Sequence, residues 1–152
     1  MRHLHFAAEH NTDVLQFDLQ NTAALRSTPL AVTFAHALHL SAAELLEVDA
    51  REISLSTEEL LQQTSWKFQM YDSDAGGSGH VAELLDRHTE LMAILRQILE
   101  RDETHNRTCD TACLRCLLTS NSEAAFNRGL LQRSSLLSNL RLILPDFGSI
   151  SE

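Results

Sequence analysis

The chain has 152 residues and a formal net charge of −9, from 12 basic and 21 acidic side chains. This length fits one domain, and the 43% hydrophobic content excludes a disordered chain. Polar or charged residues interrupt every stretch of about 18 residues, the length that a membrane span needs, so we predict no membrane partner. Because non-specific nucleic-acid affinity comes from neutralising phosphates, the acidic balance also argues against autonomous nucleic-acid binding.

The N-terminal residues and the cysteines indicate the cellular compartment. Residues 1–10 are polar and histidine-bearing, without the apolar core of a secretory signal. The three cysteines are an odd number and fall within eight residues, unlike the spread, even set of a secreted disulfide framework. We therefore expect a cytoplasmic protein whose clustered thiols form a metal site or a redox pair.

Three short segments are predicted to be strands. They cover residues 12–19, 51–56 and 66–71. In the last of them Trp66, Phe68 and Met70 share one face, because side chains alternate along a strand.

Helical spacing of apolar residues predicts a first helix from Thr28 to about Val48. Thr28 is the expected N-cap, with Pro29 in the first helical position. The helix carries His36 and His39. For both we favour ordinary buried or surface histidines over metal ligands.

Three further helical segments are predicted. Ser56 and Glu59 match a capping box that opens a brief helix. A long helix carries an apolar stripe from residue 81 to residue 99, and a final helical region runs from residue 123 to residue 144. Pro145 ends the last region.

Together these elements predict an α/β (α+β) fold. A small sheet of about three strands packs against several helices, and a C-terminal helical region holds the cysteine cluster in a form similar to a zinc knuckle. We expect a single domain over residues 1–152. Its parts are an α/β part at 12–99, the cysteine cluster with C-terminal helices at 100–144, and a tail at 145–152.

A glycine-rich loop joins the third predicted strand to the long helix. Gly76, Gly77 and Gly79 lie where a phosphate-binding loop would be sought. The spacing matches neither dinucleotide-binding nor P-loop patterns, and the P-loop lysine is missing. Asp72 and Asp74 would repel a phosphate, so we interpret the loop as a tight turn.

The cysteines follow the pattern C-x3-C-x2-C at Cys109, Cys113 and Cys116. The x2 pair is an ordinary zinc half-site, and a closed tetrahedral site needs a fourth ligand. His105, four residues before the first cysteine, is the best local candidate for it. Asp110 and Glu103 are weaker candidates.

Two other interpretations of the cysteines stay open. The three thiols could be reduced side chains with no ligand. Cys113 and Cys116 could instead form a redox pair. We rank zinc a little above the first of these and well above the second.

The order of these features resembles a known family. The features are a strand ending in Tyr71-Asp72, the glycine loop, a long helix, the cysteine cluster followed by Leu117, and later Leu130-Leu131-Gln132-Arg133. They resemble the zinc-binding C-terminal domain of the mitomycin-repair-factor class of superfamily-two helicases. This domain also occurs in helicase-associated proteins of anti-phage systems. The resemblance spans roughly residues 12–140.

The resemblance implies a non-catalytic, helicase-associated module or subunit that acts in DNA repair or anti-phage defence, with structural zinc. The family pattern is C-x-C-x3-C-x2-C, and Arg107 stands where its first cysteine would fall. Leu131-Gln132-Arg133 stands where the family has Leu-Asp-Arg. The proposed zinc ligands are then Cys109, Cys113, Cys116 and His105.

The sequence contains neither a Walker-type lysine loop nor a D-E-x-H box. We therefore expect no enzyme activity. The expected partner is a helicase or helicase-like subunit, which supplies the motor and most of the DNA contact.

Two alternative functions remain. One is a general protein-interaction adaptor with no nucleic-acid role. The other is a thiol-redox protein that uses Cys113 and Cys116. A thioredoxin-like site places its pair at a helix N-terminus directly after a strand, whereas this pair follows a polar loop and another cysteine.

Overall fold

The computed structural model describes residues 7–8, 14–19, 25, 27–73, 79–100, 108–112, 117–119 and 122–139. Within them the chain forms an antiparallel sheet in the order β1-β2-β4-β3. The strands are β1 Ala7–Ala8, β2 Val14–Asp18, β3 Ile53–Ser56 and β4 Lys67–Asp72. The three predicted strands and the mixed α/β class are confirmed, and the two-residue β1 is an addition to the prediction.

Several helices accompany the sheet, and the first three of them contact its strands. They are α1 Thr28–Leu46, α2 Glu58–Gln62, α3 His80–Asp86, α4 His88–Leu99 and α5 Glu123–Asn127. A 3-10 turn, Ala50–Glu52, precedes β3. Residues 133–139 are also helical.

Three aromatic rings join the sheet to α1. Phe17 on β2 lies opposite Phe68 on β4, and their rings stack with centroids 4.7 Å apart. Phe34 of α1 meets Phe68 edge-on at 6.3 Å. All three side chains are fully buried, so the aromatic contacts fix α1 over one face of the sheet.

The first helix begins at the predicted residue but has a different cap. Ser27 is the N-cap rather than Thr28, and its carbonyl oxygen accepts the first helical hydrogen bond from Ala31 at 2.9 Å. The helix ends at Leu46 because Glu47 adopts a left-handed conformation with φ of 56°. By length and composition alone α1 could cross a membrane, yet most of it is buried inside the fold, as core helices are.

The capping-box prediction at Ser56 and Glu59 is wrong. Thr57 is the N-cap of α2 and makes no side-chain cap bond. The Glu59 carboxylate instead accepts hydrogen bonds from Ser65 and Gln69, which lower the pKa of that carboxyl group. The Glu59 side chain therefore binds residues beyond α2 instead of the backbone at the start of the helix.

The predicted long helix is divided at Arg87 into α3 and α4. Val81 and Leu84 of α3 are buried, and α3 packs on β2 and β4. The buried stripe of α4, which includes Leu91 and Leu95, packs on α1 instead. The helix is interrupted at Arg87, and each of its two parts buries its apolar face against a different partner.

The predicted final helix is also interrupted. α5 ends at Asn127, and Gly129 adopts a positive φ of 71°, a conformation that glycine reaches without steric cost. The amide of Leu130 then donates to the carbonyl oxygen of Ala125 at 2.9 Å, as in a left-handed helix end. Helical structure resumes at residue 133, and residues 140–152 lie outside the described part.

Candidate metal centre

The structure describes one of the four proposed zinc ligands. Cys109 is placed, whereas Cys113, Cys116 and His105 lie outside the described residues, as does the weaker candidate Glu103. Among the residues that are described, no group of three or more His, Cys, Asp or Glu side chains could hold a metal ion. The ligand set therefore stays a prediction. The structure shows the surroundings of Cys109 and of the residues that follow the last cysteine.

Cys109 lies in the protein interior. Its residue surface is 8% exposed, and it belongs to the same buried cluster as the core leucines. The two residues after it are held through their backbone: the carbonyl oxygens of Asp110 and Thr111 accept from the amides of Ser134 and Arg133 at 2.8 and 3.1 Å. The first amides of a helix lack partners inside that helix. The segment after Cys109 therefore supplies the hydrogen-bond acceptors for the first amides of the helical residues 133–139.

Arg133 fixes the carbonyl oxygen of Cys109 as well. Its side chain is fully buried, Nη1 donates to Cys109 at 3.2 Å, and Nη2 donates to the carbonyl oxygen of Leu99 at 2.6 Å. Leu99 is the last residue of α4, where carbonyl groups lack helical partners and a cation is favoured. One guanidinium thus ties the end of α4 to the first proposed ligand.

The sequence did not predict this role. The guanidinium is inside the protein, whereas arginine side chains are mostly exposed. The only hint was the position of Arg133 in Leu131-Gln132-Arg133, within the family resemblance. Nothing in local composition distinguishes a buried arginine from an exposed one.

The other flank of the cysteines is anchored by Ser122. Leu117, which follows the last cysteine directly, is fully buried, and its carbonyl oxygen accepts from the Ser122 hydroxyl at 2.8 Å. The same hydroxyl oxygen accepts from the amide of Thr119 at 2.9 Å. The chain therefore enters and leaves the cysteine cluster through two segments fixed by hydrogen bonds.

The donor chemistry of the cluster fits zinc. Three thiols and an imidazole make a Cys3His set, one of the tetrahedral sets of structural zinc sites. Asp110 is exposed, and its backbone carbonyl rather than its side chain makes the contact with Ser134. A closed site of this kind cross-links the chain and leaves no coordination position for a substrate.

The described end of the glycine loop is a turn capped by Asp72. Its carboxylate accepts from the amides of Gly79 at 2.9 Å and Val81 at 3.2 Å. Gly79 has a positive φ of 84°, which suits glycine. A protein carboxylate thus takes the amides that a bound phosphate would need, in agreement with a turn; Gly76 and Gly77 lie outside the described residues.

Comparison with known families adds one finding. A family model described as the MrfA Zn-binding domain matches residues 34–117, more than half of the chain. The matched range contains the three cysteines and His105. No curated protein and no solved structure matches the chain significantly.

Proposed function

The chain belongs to the MrfA Zn-binding domain family, and from this premise we propose a non-catalytic, helicase-associated module with one structural zinc ion. The proposed ligands are Cys109, Cys113, Cys116 and His105. The observation that carries the proposal is the family match, since its range includes all four.

The anchored flanks support a structural role for the metal. Arg133 and Ser122 fix the backbone on either side of the cluster. An ion bound between those flanks would join the end of α4 to the start of α5. Structural zinc contributes roughly 10–16 kcal/mol of apparent binding free energy in small peptides at neutral pH, enough to dominate the stability of such a junction.

Arg107 makes the fourth ligand testable. In the proposal His105 replaces the family cysteine that would stand at position 107. The Arg107→Cys substitution would restore a fourth thiolate and raise zinc affinity. His105→Ala would then reduce zinc affinity in the natural sequence. The same substitution would have little effect on zinc affinity in a chain that also carries Arg107→Cys.

Elemental analysis of protein purified with zinc supplied tests the metal directly. We expect one zinc per chain, and we expect Cys116→Ser to lose the metal and to aggregate more than the exposed-surface control Arg96→Ser. Substoichiometric zinc together with an unchanged melting curve for Cys116→Ser would contradict the metal proposal. The cysteines would then be small apolar side chains.

The proposed partner is a superfamily-two DNA helicase, in cytoplasmic DNA repair or anti-phage defence. The net charge of −9 supports DNA contact mainly through that partner. The burial of Arg133 removes one more cation from the surface. ATP hydrolysis would then belong to another chain or to another part of the protein.

Copurification from the native source tests the partner. We expect a helicase in the complex, no ATP hydrolysis by the isolated chain, and DNA binding no tighter than the roughly 10⁻⁴–10⁻⁶ M of non-specific binders at physiological salt. Partners without ATPase activity would favour the adaptor function instead. Nanomolar DNA binding by the chain alone would contradict the proposal that the partner makes most of the DNA contact.

A further inference from the structure

A cavity of about 440 Å³ lies between α1, β3, β4 and α5, on the described part of the chain. Small-molecule sites in proteins have volumes of about 300–1,000 Å³, so this cavity is large enough for a small ligand. Its apolar wall includes Val32, Ile53, Leu55 and Leu61. The proposed zinc ligands do not contribute to the lining that the structure describes.

His36 brings an unpartnered polar group to the cavity. Its residue surface is 8% exposed, it lines the cavity, and no hydrogen bond joins its ring to a described residue. Burial and then the neighbouring His39 lower the pKa of His36 to about 4, so the ring is neutral at pH 7. The His36 ring nitrogens are not among the fully buried, unpartnered polar atoms of the described residues, so they keep some access to solvent.

His39 is different although it lines the same cavity. Its Nε2 atom donates to the carbonyl oxygens of Ile53 at 2.6 Å and Ala50 at 3.1 Å. Packing and backbone contacts therefore account for His39. His36 is the histidine whose hydrogen-bonding capacity remains for a ligand.

The charged residues that line the described cavity have one sign. Although the chain has 21 acidic and 12 basic residues, none of the described lining residues is acidic, and two are arginines. Arg51 is already paired with Asp49 through two contacts of 3.1 Å. Arg128 is exposed and forms no ion pair with any described residue, so its guanidinium can meet an anion.

We propose that this cavity binds a small organic anion. The apolar or aromatic body of the ligand lies against Val32, Ile53 and Leu61. Its carboxylate or phosphate group meets Arg128, and a polar atom on its body takes a hydrogen bond with His36. This site is separate from the metal centre and does not depend on zinc.

An NMR titration of the full chain tests the site with two matched probes. Phenyl phosphate and phenylacetate share the ring and differ in the anion, so their comparison identifies the preferred group. For ligands of this size we expect dissociation constants of about 1 mM, with shifts at His36 and Arg128. Benzyl alcohol and inorganic phosphate, which lack the charge and the ring respectively, should bind at least about tenfold more weakly if both parts are recognised.

Two variants separate binding from folding. His36→Leu should keep or raise the melting temperature and weaken binding about threefold to tenfold, the loss expected for one neutral hydrogen bond. Arg128→Gln should weaken binding about tenfold or more without unfolding the protein. Arg96→Gln, on α4, is the matched control and should bind like the natural chain.

Three results would overturn the proposal. The first is no saturable shift at the cavity with either probe. The second is equal affinity for the anions and for benzyl alcohol. The third is unchanged binding by both His36→Leu and Arg128→Gln.

Discussion

The Nη2 atom of Arg133 lies 2.6 Å from the carbonyl oxygen of Leu99. The same guanidinium also reaches the carbonyl oxygen of Cys109. Leu99 and Cys109 stand at the two ends of the polar segment that joins α4 to the cysteines. A single buried side chain therefore sets the distance between these ends.

Arg133→Met is expected to lower the free energy of unfolding by about 2–4 kcal/mol, because two charge-assisted hydrogen bonds are lost and two buried carbonyl groups lose a donor. Urea denaturation measures the change. Arg133→Lys should have a free energy of unfolding between those of the natural chain and Arg133→Met, since an ammonium group can reach fewer of these acceptors. Arg96→Met, in an exposed pair with Glu100, should cost less than about 1 kcal/mol. A loss for Arg133→Met as small as that of this control would show that the two hydrogen bonds contribute little.

Thr33→Val tests the contact between α1 and the segment after α5. The Thr33 hydroxyl is fully buried, lies 3.0 Å from the carbonyl oxygen of Leu130 and accepts from the amide of Gln132 at 2.8 Å. Valine has the same shape without the hydroxyl, so we expect a loss of about 1–3 kcal/mol. Hydrogen exchange at the Gln132 amide should become faster. Thr33→Ser keeps the hydroxyl and should protect that amide; equal protection in both variants would contradict the role.

Asp72→Ala removes the carboxylate that caps α3. The amides of Gly79 and Val81 lose their acceptor, and we expect a loss of about 1–2 kcal/mol, as for other helix caps. Thermal unfolding measures it, and faster exchange at the Val81 amide would locate the effect. Asp72→Asn keeps an acceptor oxygen and should be milder. If Asn and Ala are equally destabilising, the charge rather than the cap geometry is responsible.

The pH dependence of stability should report His36. Burial, then His39, lowers the pKa of this residue from 6.5 to about 4, so between these pH values the unfolded chain binds more protons at this position than the folded one. Stability therefore rises with pH in that interval, and the part due to His36 is lost as pH falls from 6.5 towards 4. The full difference is about 3 kcal/mol.

His36→Leu should remove this part of the pH dependence, as measured by urea denaturation at several pH values. His80→Gln, which replaces a histidine that does not line the cavity, is the control. If stability changes with pH equally in His36→Leu and in the natural chain, His36 is protonated to the same extent in the folded and the unfolded protein.

The sequence by itself determined the strands, the start of α1 and the spacing of the cysteines. These features depend on local chemistry: alternating apolar residues, a proline in the first helical turn, and thiols a fixed number of residues apart. The segments around Phe17, Phe68 and Pro29 are where the sequence prediction and the structure agree. The zinc hypothesis likewise arose from residues close together in the chain.

Only the tertiary structure decided where the helices are divided and which polar side chains are inside. The division at Arg87 follows from the different partners of α3 and α4, and the hydroxyl of Thr33 holds the backbone just beyond Gly129. Arg133 and His36 are buried because distant elements close over them. Their acceptors, cavity walls and neighbours come from parts of the chain far away in sequence, so no local pattern carries this information.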